Sequence, residues 1–236
     1  MSHIGTHAMV LAAGLGIRMR PLTNDRPKPL VEVAGKALID YSLDRLREAE
    51  VETAVVNAHY LADQISGWAK RQTSPQIILS DERDYVLDTG GGIAKALPLL
   101  GPQPFFVLNS DSFWIDGKIP ALQRLRSAWD DKVMDCLLLL CPVAQTTGYD
   151  GQGDFLLKED GRLVRQRGFP ALAYIGGYLV HPRLFKNAPM GKFSMNLLWD
   201  EAISRDRLHG LSHDGKWLHV GTPEAIGLAE AELLKT

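Results

Sequence analysis

The sequence has little cysteine, almost no net charge and no long apolar run. Its two cysteines in 236 residues, Cys136 and Cys141, flank the leucine run at 137–140 with no metal-ligand or redox spacing around them. Buried thiols in a reducing compartment are the expectation, and a disulfide-stapled scaffold is excluded. With 26 basic and 28 acidic residues the formal charge is −2, so there is no bulk attraction to nucleic acid or to an anionic membrane, and any anion site must be local. No apolar stretch reaches the roughly 18 residues of a membrane span, and the first residues lack a secretory apolar segment. The expected location is the cytoplasm. No Ser/His/Asp or Cys/His constellation is evident either: His59, His181, His209 and His213 read as surface or capping imidazoles, and His3 and His7 as part of a solvated tail.

What is present is alternation. An apolar run at 8–13 stops at Gly14; apolar residues at helical spacing follow at 38–46, then a strand at 53–57, a helix at 61–70, a strand at 76–80, a helix at 92–99 and a strand at 105–109. This pattern predicts an α/β fold of Rossmann-like type, a mostly parallel mixed sheet flanked by helices. Ligands of such sheets bind beyond the carboxyl ends of the strands. The second half predicts a helix at 122–129, a strand at 134–141, a Gly- and Asp-rich hairpin region at 148–165, a strand at 173–180, a helix at 195–205, and paired strands at 208–213 and 217–220. A closing helix at 223–234 has Thr222 as its cap and Pro223 at its first position. The length suits one domain spanning 1–236.

Three places carry chemistry. In the first, Gly14 and Gly16 follow a strand, where residues without a Cβ let main-chain N–H groups approach a polyphosphate, and Arg18 and Arg20 then offer forked donors. The dinucleotide pattern fails, because its third glycine would fall on Met19, and no Gly-Lys-Ser/Thr ending is present. Ten residues beyond Arg18, Pro27 and Pro29 hold Lys28 on a stiff extended stretch suited to meeting a phosphate. In the second, Asp111 ends an apolar strand, where a carboxylate is placed either to hold a hard cation such as Mg²⁺ or to cap a following helix. In the third, Thr89, Gly90, Gly91 and Gly92 open a helix, which weakens it unless a base or ribose packs closely on Gly90 or the loop is simply tight. Trp114, Trp199 and Trp217 are able to stack on a sugar or to fill core, with core expected for Trp199, and Asn57 ends a strand on the same sheet edge.

The stretch from Leu11 to Leu30 resembles the signature of the sugar-phosphate nucleotidyltransferases, Leu-Ala-Ala-Gly-x-Gly-Thr-Arg-Met-Arg-Pro-Leu-Thr followed by Pro-Lys-Pro-Leu. The likeness extends through Asn109-Ser110-Asp111 and Val220-Gly221-Thr222-Pro223. It implies an enzyme that joins a nucleoside triphosphate to a sugar 1-phosphate and releases pyrophosphate with Mg²⁺. UTP and an N-acetylated amino-sugar 1-phosphate are the favoured pair; the alternatives are a mannose 1-phosphate guanylyltransferase or a sensor that binds nucleotide-sugar without turnover. By the resemblance, Arg18 and Lys28 are catalytic cations; Leu11, Ala13, Gly14, Gly16, Thr89 and Gly90 contact the nucleotide; Asn109 and Gly177 contact the sugar; and Asp111 and the position of His219 hold metal. The nucleotide part is then about 8–112 and the sugar part about 113–236. The chain departs from the family pattern at Ile17, and at His219, where the family has aspartate before Val-Gly-Thr-Pro.

Overall fold

The computed structural model describes residues 4–235. In chain order its elements are β1 (His7–Leu11), β2 (Glu32–Val33), β3 (Lys36–Ala37), α1 (Leu38–Glu48), β4 (Thr53–Ala58), α2 (Ala62–Ala69), β5 (Gln76–Asp81), α3 (Asp88–Leu100), β6 (Phe105–Asn109) and β7 (Ser112–Ile115). Then follow α4 (Ala121–Ala128), β8 (Cys136–Pro142), β9 (Thr146–Thr147), β10 (Phe155–Leu157), β11 (Leu163–Arg165), β12 (Leu172–Val180), α5 (Met195–Ser204), β13 (Leu208–Ser212), β14 (Lys216–His219) and α6 (Pro223–Leu233).

The central sheet has β5, β4, β1 and β6 parallel and adjacent, continued by antiparallel β12 and then by β8 and β13. Its period-two pattern divides the core. Ala8, Val10, Ala54, Val56, Phe106 and Leu108 face α1, α2 and α4 through residues such as Leu43, Ile65 and Leu125. Met9, Val55, Phe105 and Val107 face α3 and α5 through Ile93, Ala96, Leu198 and Ala202. Both faces are thus covered, which is why these strands read as continuous apolar runs rather than as alternating ones. A third cluster packs Met19, Val31, Phe113, Leu218, Val220 and Ala229 together, and it fastens the loop after β1 to the small sheet β7-β14-β9 and to α6.

Several expectations change. The strands expected to pair at 208–213 and 217–220 lie in different sheets: β13 runs parallel to β8, while β14 is antiparallel to β7. The lysine expected on an extended stretch instead opens a short 3-10 turn, Lys28–Leu30, capped by the extended Pro27. Helix α3 starts at Asp88, so the three glycines lie inside it. His7 begins β1 rather than belonging to a tail, and His3 lies outside the described residues. His209 and His213 are buried, not superficial. Both cysteines are buried and free.

Far from the carboxyl ends of β1 and β6, Asp135 is buried just ahead of β8 and takes Arg183 Nε at 2.6 Å and Arg207 Nε at 2.8 Å, with Arg205 Nη2 at 3.6 Å. Burial pushes its pKa up, but the hydrogen bonds and charges of Arg183 and Arg207 outweigh it, and the carboxyl is held below its ordinary 3.8. A depressed acid stabilises the fold above its unfolded pKa and loses that contribution as pH falls through the native value. Asp135→Asn is therefore expected to lower stability by about 2 kcal/mol at neutral pH. In urea titrations the gap to the parent should close as pH falls below 3.8.

Candidate functional site

The site lies where β1 and β6 end side by side, with Leu11 opposite Asn109. The Ser110 amide and hydroxyl both donate to the Leu11 carbonyl, at 3.2 and 2.7 Å, which ties the two strand ends together. Beyond Leu11 the chain is held by side chains from elsewhere. The Ala12 amide donates to Asn57 Oδ1 at 2.7 Å, and Asn57 Nδ2 donates to Glu82 Oε1 at 2.8 Å. Asn57 thus anchors the loop after β1. Burial pushes the Glu82 carboxyl above its ordinary pKa, against the hydrogen bond from Asn57. Gly92 lets α3 approach this pair: a Cβ there would stand 2.8 Å from both Asn57 Nδ2 and Glu82 Oε1.

The loop itself is stiff. Gly16 has a left-handed φ of 62°, its carbonyl accepts the Thr23 hydroxyl at 2.7 Å, and Met19 and Thr23 are fully buried. This folding-back carries Lys28 inward until only 8 % of the residue is exposed, with its Nζ 3.1 Å from Asp111 Oδ2. Burial pushes the Asp111 pKa up, but the charges of Lys28 and His219 more than compensate, and it lies below the usual carboxylate value. His219 enters because β14 pairs with β7 in a register that sets it opposite Ser112, next to Asp111 in the chain. Burial lowers the His219 pKa, with Asp111 pulling the other way. Arg18 is exposed, and its Nη1 and His219 Nε2 would lie 3.4 and 2.7 Å from a Cβ on Gly221, so the residue without a side chain makes room for both groups.

A cavity of about 320 Å³ opens over this centre, and Leu11, Ala13, Gly14, Lys28, Thr89, Asn109 and Asp111 line it. Gly16, Arg18 and His219 stand beside it rather than in its wall. Gly90 and Gly177 stand elsewhere, each for a packing reason. A Cβ on Gly90 would fall 2.3 Å from the Phe193 ring, and the Gly90 and Gly91 amides donate to the Phe193 carbonyl at 3.0 Å. Gly90 and Gly91 of α3 therefore seat the segment before α5. Gly177 sits 3.1 Å, at its missing Cβ, from the Trp114 ring. Trp114 and Trp217 belong to the core, as does Trp199, expected there, which also lines a second cavity.

That second cavity, about 220 Å³, shares Leu11, Asp88, Thr89 and Asn109 with the first and extends to Asp154, Arg165, Tyr174, Asn196 and Trp199. Of these last five only Trp199 was named in the sequence as able to stack on a sugar; the other four were not singled out for binding, nor was Lys192, which lines the first cavity. The one sequence sign was the triple glycine, whose first two members dock the segment that carries Lys192. Asp88, between the cavities, holds a left-handed φ of 61°, and its carboxylate accepts the Thr89 amide at 2.6 Å.

Chemically the centre offers one hard anion, one buried ammonium and exposed backbone at Gly14, which suits a polyphosphate accompanied by a hard cation. Among the described residues no group of three or more His, Cys, Asp or Glu side chains is placed to hold a metal. The donors fit a divalent ion that takes one carboxylate from Asp111 and completes its shell with substrate oxygens and water; the imidazole of His219 is a poorer match for such an ion.

The model of the family described as nucleotidyl transferase matches residues 7–151. The chain is 48% identical to an N-acetylmuramate alpha-1-phosphate uridylyltransferase of Caulobacter vibrioides over 99% of both chains. A protein of the same name from Neisseria meningitidis is 36% identical over 96% of this chain and 97% of its own. Among solved structures, the inositol-1-phosphate CTP transferase from T. maritima superposes with a TM-score of 0.79 at 17% identity, covering 100% of this chain and 97% of that one. At that identity the likeness is one of fold.

Gly92→Ala is expected to lower stability by about 1–3 kcal/mol even though alanine favours a helix by roughly 1 kcal/mol, because the new methyl group pushes into the Asn57–Glu82 pair. Thermal unfolding measures the first effect. Faster hydrogen exchange at the Ala12 amide reports the loosened anchor, and unchanged exchange there would disprove the link.

Proposed function

The chain belongs to the nucleotidyl transferase family, and on that premise we propose that it joins UTP to N-acetylmuramate α-1-phosphate, forming UDP-N-acetylmuramate and releasing pyrophosphate. We place this activity in the cytoplasm, in the recycling of cell-wall sugars, and read the chain as one domain with its nucleotide side at about 8–112 and its sugar side at about 113–236. The observation that carries the reading is the pairing of buried Lys28 with the partly exposed Asp111 in the wall of a cavity beyond β1 and β6. The two relatives named for this reaction, similar over nearly their whole length, supply the choice of UTP and of the sugar.

In this reaction an oxygen of the sugar phosphate attacks the α-phosphorus of UTP, the bond to the β,γ-diphosphate breaks in line, and no protein nucleophile takes part. Catalysis is then positioning and charge compensation. Gly14, with no side chain in the way, lets the backbone approach the triphosphate, while Leu11 and Ala13 lie under the nucleoside. Lys28 meets the phosphates from below with a donor that Asp111 keeps in place, and Arg18, exposed at the rim, supplies a planar fork of donors. Mg²⁺, held by Asp111 when bound, supplies neutralising charge for the phosphate oxygens. Asn109, at the end of β6, faces both cavities and is placed to touch the substrate where nucleotide and sugar meet.

Pyrophosphate release measured with four nucleoside triphosphates against several sugar 1-phosphates tests the assignment. UTP with N-acetylmuramate 1-phosphate is expected to be the fastest pair. A faster guanosine triphosphate and mannose 1-phosphate pair would reassign the substrate, and nucleotide binding with no release for any pair would make the protein a sensor. Lys28→Ala is expected to lower kcat by on the order of a hundredfold, equivalent to about 3 kcal/mol. Asp111→Ala should abolish the Mg²⁺-dependent rate, while His219→Ala should cost about 10- to 100-fold, the scale of a lost supporting hydrogen bond. Equal loss in these two variants, with circular dichroism unchanged, would refute the ranking and make His219 a direct ligand.

A further inference from the structure

The second cavity holds one cation among carboxylates. Arg165 of β11 lies at its edge, while Asp88 and Asp154 also line it. Arg165 is braced on three sides: Nε donates to Asp200 Oδ1 at 2.8 Å, Nη2 donates to Asn196 Oδ1 at 2.8 Å, and the guanidinium lies over the Phe155 ring at 4.5 Å, with the Trp199 ring at 5.9 Å. Its partner across the hairpin is Phe155 itself, so the register of β10 and β11 sets the ring beneath the guanidinium. Nη1 makes no hydrogen bond among the described residues. An arginine fixed in this way has lost its rotamer freedom in advance and keeps unused donors, the condition for recognising a planar oxyanion with little further ordering.

N-acetylmuramate differs from N-acetylglucosamine by a lactyl ether on O3, which ends in a carboxylate. A sugar ring entering the second cavity from the phosphate centre would bring that anion past Asp88 and Asp154, where like charge repels it unless a cation compensates. We infer that Arg165 is the specificity-determining residue that binds the carboxylate of the sugar's acidic side chain, and that the second cavity is a subsite for anionic sugars. Asp154 is less repulsive than its charge suggests, because its Oδ2 already accepts the Tyr174 amide at 2.9 Å. Asp200 offsets part of the Arg165 charge, but it does so from the Nε edge and leaves Nη1 to the substrate. The inference rests on the proposed activity and adds to it the group that reads the substrate.

The test is a cycle between protein and ligand. Kinetics with UTP are measured for the parent and Arg165→Gln on N-acetylmuramate 1-phosphate, on its lactyl methyl ester and on N-acetylglucosamine 1-phosphate. The parent is expected to favour the free acid by about tenfold or more in kcat/KM, a discrimination typical of a site that leaves a polar group unpaired when the analogue binds. Arg165→Gln should lose most of that preference, chiefly through KM for the sugar phosphate, while changing the ester and the N-acetylglucosamine compound by less than about threefold. Asp200→Asn, which removes the competing charge but not the arginine, should keep or raise the preference and so separates recognition from packing. A parent that does not discriminate acid from ester sinks both this inference and the choice of sugar. If the parent discriminates and Arg165→Gln does so equally, only the inference falls. An equal loss on all three sugars, or a rise confined to the KM of UTP, likewise overturns it, assigning Arg165 to packing or to the nucleotide phosphates.

Discussion

A buried ammonium must be paired, and in this chain that requirement organises the site. Lys28 is taken out of water and compensated by Asp111, a partner 83 residues away that stands at the end of a different strand. Withdrawing a charge from solvent costs several kcal/mol unless a partner and hydrogen bonds answer it. The pair therefore exists only if the loop after β1 folds back in one way and β6 ends in one place. Each of the other fixings described serves that condition. Met19 and Thr23 bury the loop, the Gly16 carbonyl is held by the Thr23 hydroxyl, and the Ala12 amide is held by Asn57. The same pairing that folds the loop leaves an ammonium lining the first cavity, so in the proposed reaction the stabilising contact and the functional group coincide.

Glycine acts here mostly as a docking surface. At Gly90, Gly91 and Gly92 an added Cβ would meet the Phe193 ring, the Gly191 carbonyl and the Asn57–Glu82 pair in turn. One helical turn therefore contacts the segment that leads into α5 and the anchor of the phosphate loop. The first cavity ends at Lys192 on one of these segments and at Asn57 beneath the other. A loss of helix stability of roughly 1 kcal/mol per glycine is accepted so that two walls of one cleft share a rigid support.

The parallel half of the sheet was legible because it is covered on both faces, and such strands leave unbroken apolar runs that alternate with helical spacing. The loop motif was legible because its glycines, prolines and cations are consecutive. What stayed hidden depends on long-range geometry. No local pattern says that β13 joins β8 while β14 crosses to β7, since both strands are short and apolar and only the global packing chooses their partners. Arg165, Asp154 and Asn196 lie in three separate stretches and meet only through the hairpin and α5. Gly90 and Gly177 show a further ambiguity, since in this structure their missing side chains make room for Phe193 and Trp114. A glycine signals close approach, but it does not say whether a ligand or a phenyl ring approaches.

The charges of the two cavities suggest why the family's aspartate can be replaced by His219. Around the first cavity Lys28, Lys192 and the neighbouring Arg18 face Asp111 and Asp88, and burial holds the imidazole toward its neutral form. Counting those groups, the centre carries one positive charge more than its carboxylates cancel, whereas an aspartate at 219 would bring the sum to zero. A triphosphate and a sugar phosphate arriving together are strongly anionic, and a preorganised positive centre stabilises them without waiting for solvent to reorganise. In the second cavity the balance is reversed, with Asp88 and Asp154 against Arg165. On the proposed reading, phosphates are drawn to the end where Lys28 and Arg18 stand, and the other end takes a neutral sugar or one whose anion reaches Arg165. The polarity of the cleft follows from which strand ends carry which charges, and so from the topology of the sheet.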